Sequence, residues 1–454
     1  MLPDPLASAT ELAEGLRTGG YTSTELTEAA IARIEEMDAA VNAVVVRDFI
    51  RARQEAAAAD AALARGEQRR LLGIPITVKE SFDLRGHATT WGVEEFRGHR
   101  ADRDALPVRR LTDAGAVLLG KTNVPVWLDD WQSDNPVYGR TRNPYDLSRT
   151  PGGSSGGSAV AVALGFSALE LGSDIGGSVR VPAAFCGVFG HKPTWGLLAS
   201  DGHSPAGMIG EPPPLAVIGP LARTAEDLDL ALRILAGRDD LAPGGWAELP
   251  APRHARLADY RVLVLDAHPA ARTQQIVRDA VQDAAARAAA AGASVSRASE
   301  LLPDLARAYD DYRAMLAAVG SRRSPVTEAS MPVQEWFALL DRQRIVRRQW
   351  SALFEEFDVV LAPVYGTVAF PLSDEPDNER RQLEIDGSLE PYDTQLAWPS
   401  IATFANLPAT AAPVGVTAGG LPLSVQVIGP HRGDRTTIAF AGLIARETAP
   451  PPGA

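Results

Sequence analysis

The run TPGGSSGGSAVAVALG occupies residues 150–165, and GSDIGGSVRVPAAFCG follows at 172–187. Each is a glycine- and serine-rich turn that opens into small apolar residues. Glycine in a turn lets another group approach the backbone closely. The small-residue stretches behind the turns read as helices packed against a sheet. Two such units so close together call for one explanation.

The flanking chain supplies the frame. Residues 9–17 and 22–38 read as helices, the second opening on a capping box, Thr22-x-x-Glu25. NAVVVRDF (42–49) reads as a strand and 50–65 as an alanine-rich helix. GIPITVKESFDL (73–84) is a β-branched strand with Lys79 near its end. A helix at 104–114 and the strand GAVLLGKTN (115–123) follow. Beyond the turns come a capped helix at 224–236, a strand at 260–266, and helices at 274–291, 303–318 and 333–357. DVVLAPV (358–364), PATAAPVGV (408–416) and LPLSVQVIGP (421–430) return to strand. Alternating strands and helices predict an α/β fold with buried, partly parallel strands. Residues 200–214 read as a Gly/Pro/Ser loop, with GEPPP (210–214) a candidate flap over a pocket, and the tail TAPPPGA (448–454) as disordered. No solenoid repeat or long linker divides the chain. The expectation is one domain over 1–454, with a core at 70–240 and 358–445 and a more variable helical region at about 200–350.

Three chemistries compete for the first turn. Backbone N–H groups of a glycine loop hold phosphate at a helix start, but no Gly-Lys-Ser/Thr follows. Gly152-Gly153-Ser154-Ser155-Gly156 matches G-x-S-x-G, yet that arrangement needs an acid and a late histidine, and His431 alone fits. The third reading uses both turns and a lysine. Serine needs a base within hydrogen-bond reach. A buried lysine becomes one because desolvation lowers its pKa. Of 44 basic residues only Lys79, Lys121 and Lys192 are lysines, and arginine does not lose its proton. Lys79 ends an apolar strand. A second serine can relay the proton. Asp174-Ile175-Gly176-Gly177-Ser178 presents successive backbone N–H groups with little side-chain bulk, as an anion pocket requires. The competing reading is a pair of tight turns whose serines only cap helices.

The blocks together resemble the amidase signature family. The resemblance covers both turns, GIPITVKESFD, TNVPVW and SDNPVYGRTRNPYD before them, GPLARTAEDLDLAL after them, and LPLSVQVIGP near the C-terminus. It spans most of the chain outside roughly 240–390. It implies a large twisted mixed β-sheet covered by helices on both faces. It implies amide hydrolysis through an acyl-enzyme, with Ser178 as nucleophile, Ser154 as bridging serine after a cis peptide, and Lys79 as base. Ile175, Gly176, Gly177 and Ser178 would supply the oxyanion hole, with Ser155, Asp174 and Arg180 in support. Lys121 and Lys192 match no catalytic position. No metal or cofactor is implied. Family members often carry Leu and Arg where this chain has His191 and Trp195; His191 reads as a packing residue. Trp127, Trp131 and Tyr138 are candidate pocket residues. A carbamate or ester hydrolase, an amidotransferase component, and an inactive binding or scaffold protein are the alternatives.

Composition bounds the setting. The 454 residues are 45% hydrophobic and 22% charged, enough for a sizeable core. A net charge of −13 argues against a nucleic-acid partner and an anionic membrane surface. Cys186 is the single cysteine, so no internal disulfide or cysteine zinc cluster forms. With no signal-like start and no long apolar run, the expectation is a cytoplasmic monomer or homodimer acting on a small amide or carbamate.

Overall fold

The computed structural model describes residues 2–208, 212–237, 249–323, 327 and 330–446. The tail at 448–454, and Gly210 and Glu211 of the GEPPP segment, lie outside the described residues. In chain order the strands are β1 (Val44–Arg47), β2 (Pro75–Lys79), β3 (Val117–Thr122), β4 (Leu169–Asp174), β5 (Phe189–Lys192), β6 (Val217–Ala222) and β7 (Arg261–Val264). Then come β8 (Ser294–Ser296), β9 (Val359–Pro363), β10 (Gln382–Ile385), β11 (Ser388–Pro391), β12 (Ala409–Val416) and β13 (Pro422–Ile428). Eleven of them form one sheet in the order β1-β3-β2-β4-β6-β5-β12-β13-β9-β7-β8, and β10 and β11 make a separate hairpin. β2 runs parallel to β3 and β4, and β7 parallel to β8 and β9. The other pairings in the sheet are antiparallel, so the sheet is mixed.

Alternation along the strands feeds cores on both faces. Val117 and Leu119 of β3 join one apolar cluster, while Leu118 joins another. At the far end Val359 and Leu361 of β9 point one way, and Val360 and Ala362 the other. Helices cover each face. Ser23–Val41, Phe49–Ala64 and Gly156–Ala163 pack on the side of Val117, and Leu106–Asp113 packs on the side of Leu118. A strand buried on both sides needs a near-continuous apolar sequence, which is why β2, β3 and β9 are legible in the chain. β5 (FGHK) has a single large apolar side chain and a Gly-Pro pair splits the apolar run of β6 (VIGPLA), so neither is legible in this way; their strand state comes from pairing with each other and with β4 and β12. Residues 200–350 contribute β6, β7 and β8 to the sheet as well as helices. Among the described residues no helix is long and apolar enough to cross a membrane.

The helix Gly156–Ala163 positions the site. All eight of its residues are buried. It packs over β2, β3, β4 and β6. Small side chains allow that approach: a Cβ at position 157 would sit 2.8 Å from the Ala43 carbonyl oxygen and closer still to the Asn123 amide. Gly157→Ala should therefore push the helix off the sheet. The expected cost is about 1–3 kcal/mol, read as a lower urea midpoint at unchanged m-value. A midpoint equal to that of the parent would show that the helix has room to spare.

Candidate active site

Lys79 ends β2, the third strand from the β1 edge of the sheet, where β4 lies alongside it. Burial is complete for the Lys79 side chain. Its Nζ donates to Ser154 Oγ at 2.6 Å and to Ser173 Oγ at 2.9 Å. Ser154 stands on the first turn, after a cis Gly153–Ser154 peptide and just before the 156–163 helix. Ser178 stands on the second turn, between the end of β4 and the helix Arg180–Phe185. The two turns are tied directly, because Ser155 N donates to the Ser178 carbonyl at 3.1 Å. Ser155 Oγ also donates to the Ser173 carbonyl at 3.3 Å. The structure thus brings Lys79, Ser154, Ser155 and Ser178 into one place. Ser173 belongs with them. Sequence reasoning misses it, although it lies in the GSDIGGS block.

Electrostatics of this spot follow from dryness. Burial drives Lys79 down from 10.5 to about 7, while the charges of Asp174 and Glu170 act in the opposite sense. Lys79 is therefore partly neutral near neutral pH and able to accept a proton. His203, from the loop at 200–208, has Nε2 at 3.0 Å from Ser81 Oγ. Burial, and then the charge of Lys79, hold it at about 3, so it stays uncharged. Of the other lysines, Lys121 donates to the Ala88 carbonyl and Thr89, and Lys192 to the carbonyls of Pro193 and Leu407. His191 packs between Thr410 and Asp434.

The second turn is held rigid by a buried ion pair. Arg180 and Asp174 are both fully buried and 2.8 Å apart. Asp174 also accepts from the amides of Gly177, Val179 and Arg180. Burial alone would raise the Asp174 pKa, but the Arg180 guanidinium outweighs it and holds the group at about 2. Arg180 in turn donates to Gln426 on β13, Thr403 and the Pro399 carbonyl. Two more side chains fix the carbonyls of this turn: Tyr312 donates to Ile175 O at 2.9 Å and Trp131 Nε1 to Gly176 O at 3.0 Å. Gly177 has φ +92°, and a Cβ there would meet Pro399 and Val181 at 2.8 Å, so glycine is required. With Gly177 N engaged by Asp174, the amides of Ile175, Gly176 and Ser178 donate to no acceptor among the described residues.

The three aromatic candidates separate. Trp131 is buried beneath the second turn, edge-on to Tyr365 and Tyr392. Trp127 packs edge-on against Phe96, and Tyr138 donates to Glu80 at 3.2 Å. Those two belong to a neighbouring cluster around Glu80 and Trp91. Tyr312, Thr403 and Gln426 carry no local signal, because each reaches the turn from a distant part of the chain.

Replacing Arg180 by Met should strand the Asp174 carboxylate. Breaking one half of a buried pair typically costs about 3–5 kcal/mol. The variant should unfold at much lower denaturant concentration, and Arg180→Lys should recover little because lysine lacks the forked geometry. A Met variant as stable as the parent would mean that the pair is not what secures the turn.

Comparison with known proteins agrees with this architecture. The family model Amidase matches residues 25–329 and 325–438. The chain is 32% identical to a glutamyl-tRNA(Gln) amidotransferase subunit of Roseiflexus sp. (strain RS-1), covering 96% of this chain and 95% of that protein. It is 35% identical to the AtzE subunit of 1-carboxybiuret hydrolase from Pseudomonas sp. (strain ADP), over 92% of this chain and 93% of that one. The crystal structure of a bacterial aryl acylamidase of the amidase signature family superposes with TM-score 0.84 at 25% identity, over 97% of this chain and 96% of the other. The chain belongs to the amidase signature family and, with it, to the hydrolases that act on amide C–N bonds.

Proposed function

We propose that the protein cleaves a small amide through a Ser178–Ser154–Lys79 relay and an acyl-enzyme. Neutral Lys79 takes the Ser154 proton as Ser154 takes that of Ser178. The Ser178 oxygen bonds to the amide carbon, and the carbonyl electron pair moves onto oxygen. Amides of Ile175, Gly176 and Ser178 are the donors free to receive that oxyanion; Gly177 contributes by its conformation. The relay then runs backwards. The lysine proton reaches the leaving nitrogen through Ser154, the C–N bond breaks, and amine departs. Water, deprotonated by the same relay, attacks the ester carbon and releases the acid. What carries this reading is a fully buried amine 2.6 Å from a serine hydroxyl on a turn joined to a second serine turn.

A second reading rests on similarity to amidotransferase components, 32% identity over nearly the whole chain in the Roseiflexus case. Such a protein would work with partner chains. Hydrolysis of simple amides by the isolated protein favours the free hydrolase. Amine and carbon dioxide released from a urethane would identify the carbamate variant of the same chemistry. We read the setting as a reducing cytoplasm and the active form as a monomer or homodimer; the single cysteine, Cys186, is buried and free.

Activity should follow the lysine. Below about pH 7 Lys79 keeps its proton and cannot act as a base. The plot of kcat/KM against pH should therefore fall on the acid side of about 7. Lys79→Ala should lose about 10²- to 10⁴-fold in kcat and that acid limb together. Ser178→Ala should drop to background and resist labelling by a fluorophosphonate that modifies the parent. Normal turnover by either variant at neutral pH would refute the assigned roles.

A further inference from the structure

One carboxyl shares the sealed layer with Lys79 and has no part in the steps above. Glu170 lies on β4 opposite Thr77, two residues before Lys79 on the parallel strand β2. Register partners, and residues two apart, face the same side of a sheet. The Glu170 carboxyl and the Lys79 amine therefore emerge on one face, under the 156–163 helix. Glu170 is fully buried. Its Oε1 accepts from Thr122 Oγ1 at 2.5 Å, and that hydroxyl shares a 2.9 Å hydrogen bond with Ser158. Among the described residues its Oε2 has no hydrogen-bond partner, and neither has Thr77 Oγ1 across from it.

A buried carboxyl left half unbonded is unfavourable unless it is neutral or answers a cation. The charged groups around it narrow the choice. Asp174 is closed by Arg180. The 156–163 helix and β6 carry no titratable side chain. Lys121 on β3 pairs with Val78 and so faces the opposite side, where it donates to Ala88. His203 stays uncharged. Arg223 and Arg33 also lie on this face, but they are spent on carbonyls at the far end of the 156–163 helix, Arg223 on Val162 and Ser167 and Arg33 on Leu164. Among the described residues the cation within the sealed layer is Lys79.

We propose that Glu170 is a positioning residue for catalysis: beside Asp174, which Arg180 holds, its carboxyl is a second counter-charge that helps set how tightly Lys79 holds its proton. This rests on the reading of Lys79 as the base. Burial lifts Glu170 to about 7, against the opposing pull of the Thr122 hydroxyl that it accepts from. The two groups therefore titrate over the same range, and the charge of one sets the affinity of the other. Ionised Glu170 makes Lys79 a stronger base. Without it, desolvation would carry the amine to a lower pKa, leaving it neutral at lower pH but a poorer proton acceptor.

The test is the pH profile of full-length Glu170→Gln on a small amide. The acid limb of kcat/KM should move down by about 0.5–1 pH unit. The kcat plateau should fall a few-fold and KM should hold, since Glu170 does not reach the substrate. A folded Gln variant with an unmoved limb overturns the proposal, however much kcat it has lost. If that variant does not fold, Glu170→Met should give the same displacement of the limb. Infrared spectra of the parent provide a separate reading. A buried carboxyl should lose its C=O stretch between about pH 6 and 8, and its absence from that range overturns the proposal. Lys79→Ala is the control. Normal activity there removes the base and this proposal with it, whereas an inactive Lys79→Ala beside an unmoved Glu170→Gln limb removes the role of Glu170 alone.

Discussion

Everything at the two serine turns depends on keeping one amine away from water. Lys79 has no exposed surface, and among the described residues it forms no salt bridge. Its charge is therefore costly, and the loss of that charge is what makes a lysine usable as a base near neutral pH. A fully apolar hole would not serve, because an amine without hydrogen bonds is costly too. Ser154 and Ser173 meet it from two different segments, so the dryness and the polar partners are supplied together.

The sheet explains how that is achieved. β2 and β4 are adjacent and parallel, and both end at the same edge. The chain leaving β4 must turn there, and it turns beside the end of β2. The 156–163 helix then seals the face from above. Its glycines, alanines and valines bring its backbone so close to β3 that water is excluded and the preceding serine is delivered at its N-terminal end. The second turn is not self-supporting. Asp174 gathers its amides, Arg180 neutralises Asp174, and Gln426, Thr403 and Pro399 hold Arg180 from the C-terminal part of the chain. Trp131 and Tyr312 clamp its carbonyls from two further directions. A turn whose carbonyls and acid are so occupied leaves its remaining amides pointing elsewhere, as an anion-binding site requires.

The buried lysines show how identical residues diverge. Lys192 is also fully buried and pushed to about 7 by desolvation. It donates to two backbone carbonyls, which favours keeping its proton in place, and no hydroxyl relay begins at it. Lys121 likewise fastens a loop. Burial alone perturbs a lysine; what sets Lys79 apart is that its partners are hydroxyls, which carry transferable protons, rather than carbonyls.

Much of this was legible in the chain. The period and composition of β2, β3 and β9 announce strands buried on both faces. The capping box at Thr22 and the small-residue runs after each turn mark helices, and the scarcity of lysine draws attention to Lys79. Local sequence determines such features because backbone propensity and burial pattern act over a few residues. The tertiary structure alone decided the rest. β5 and β6 are strands only because they have neighbours. Trp131 serves the second turn while Trp127 and Tyr138 face another cluster, although all three share one segment. Ser173, Tyr312, Gln426 and Glu170 acquire their significance from contacts between residues far apart in sequence, and no local pattern encodes which distant side chain will share a dry layer with an amine.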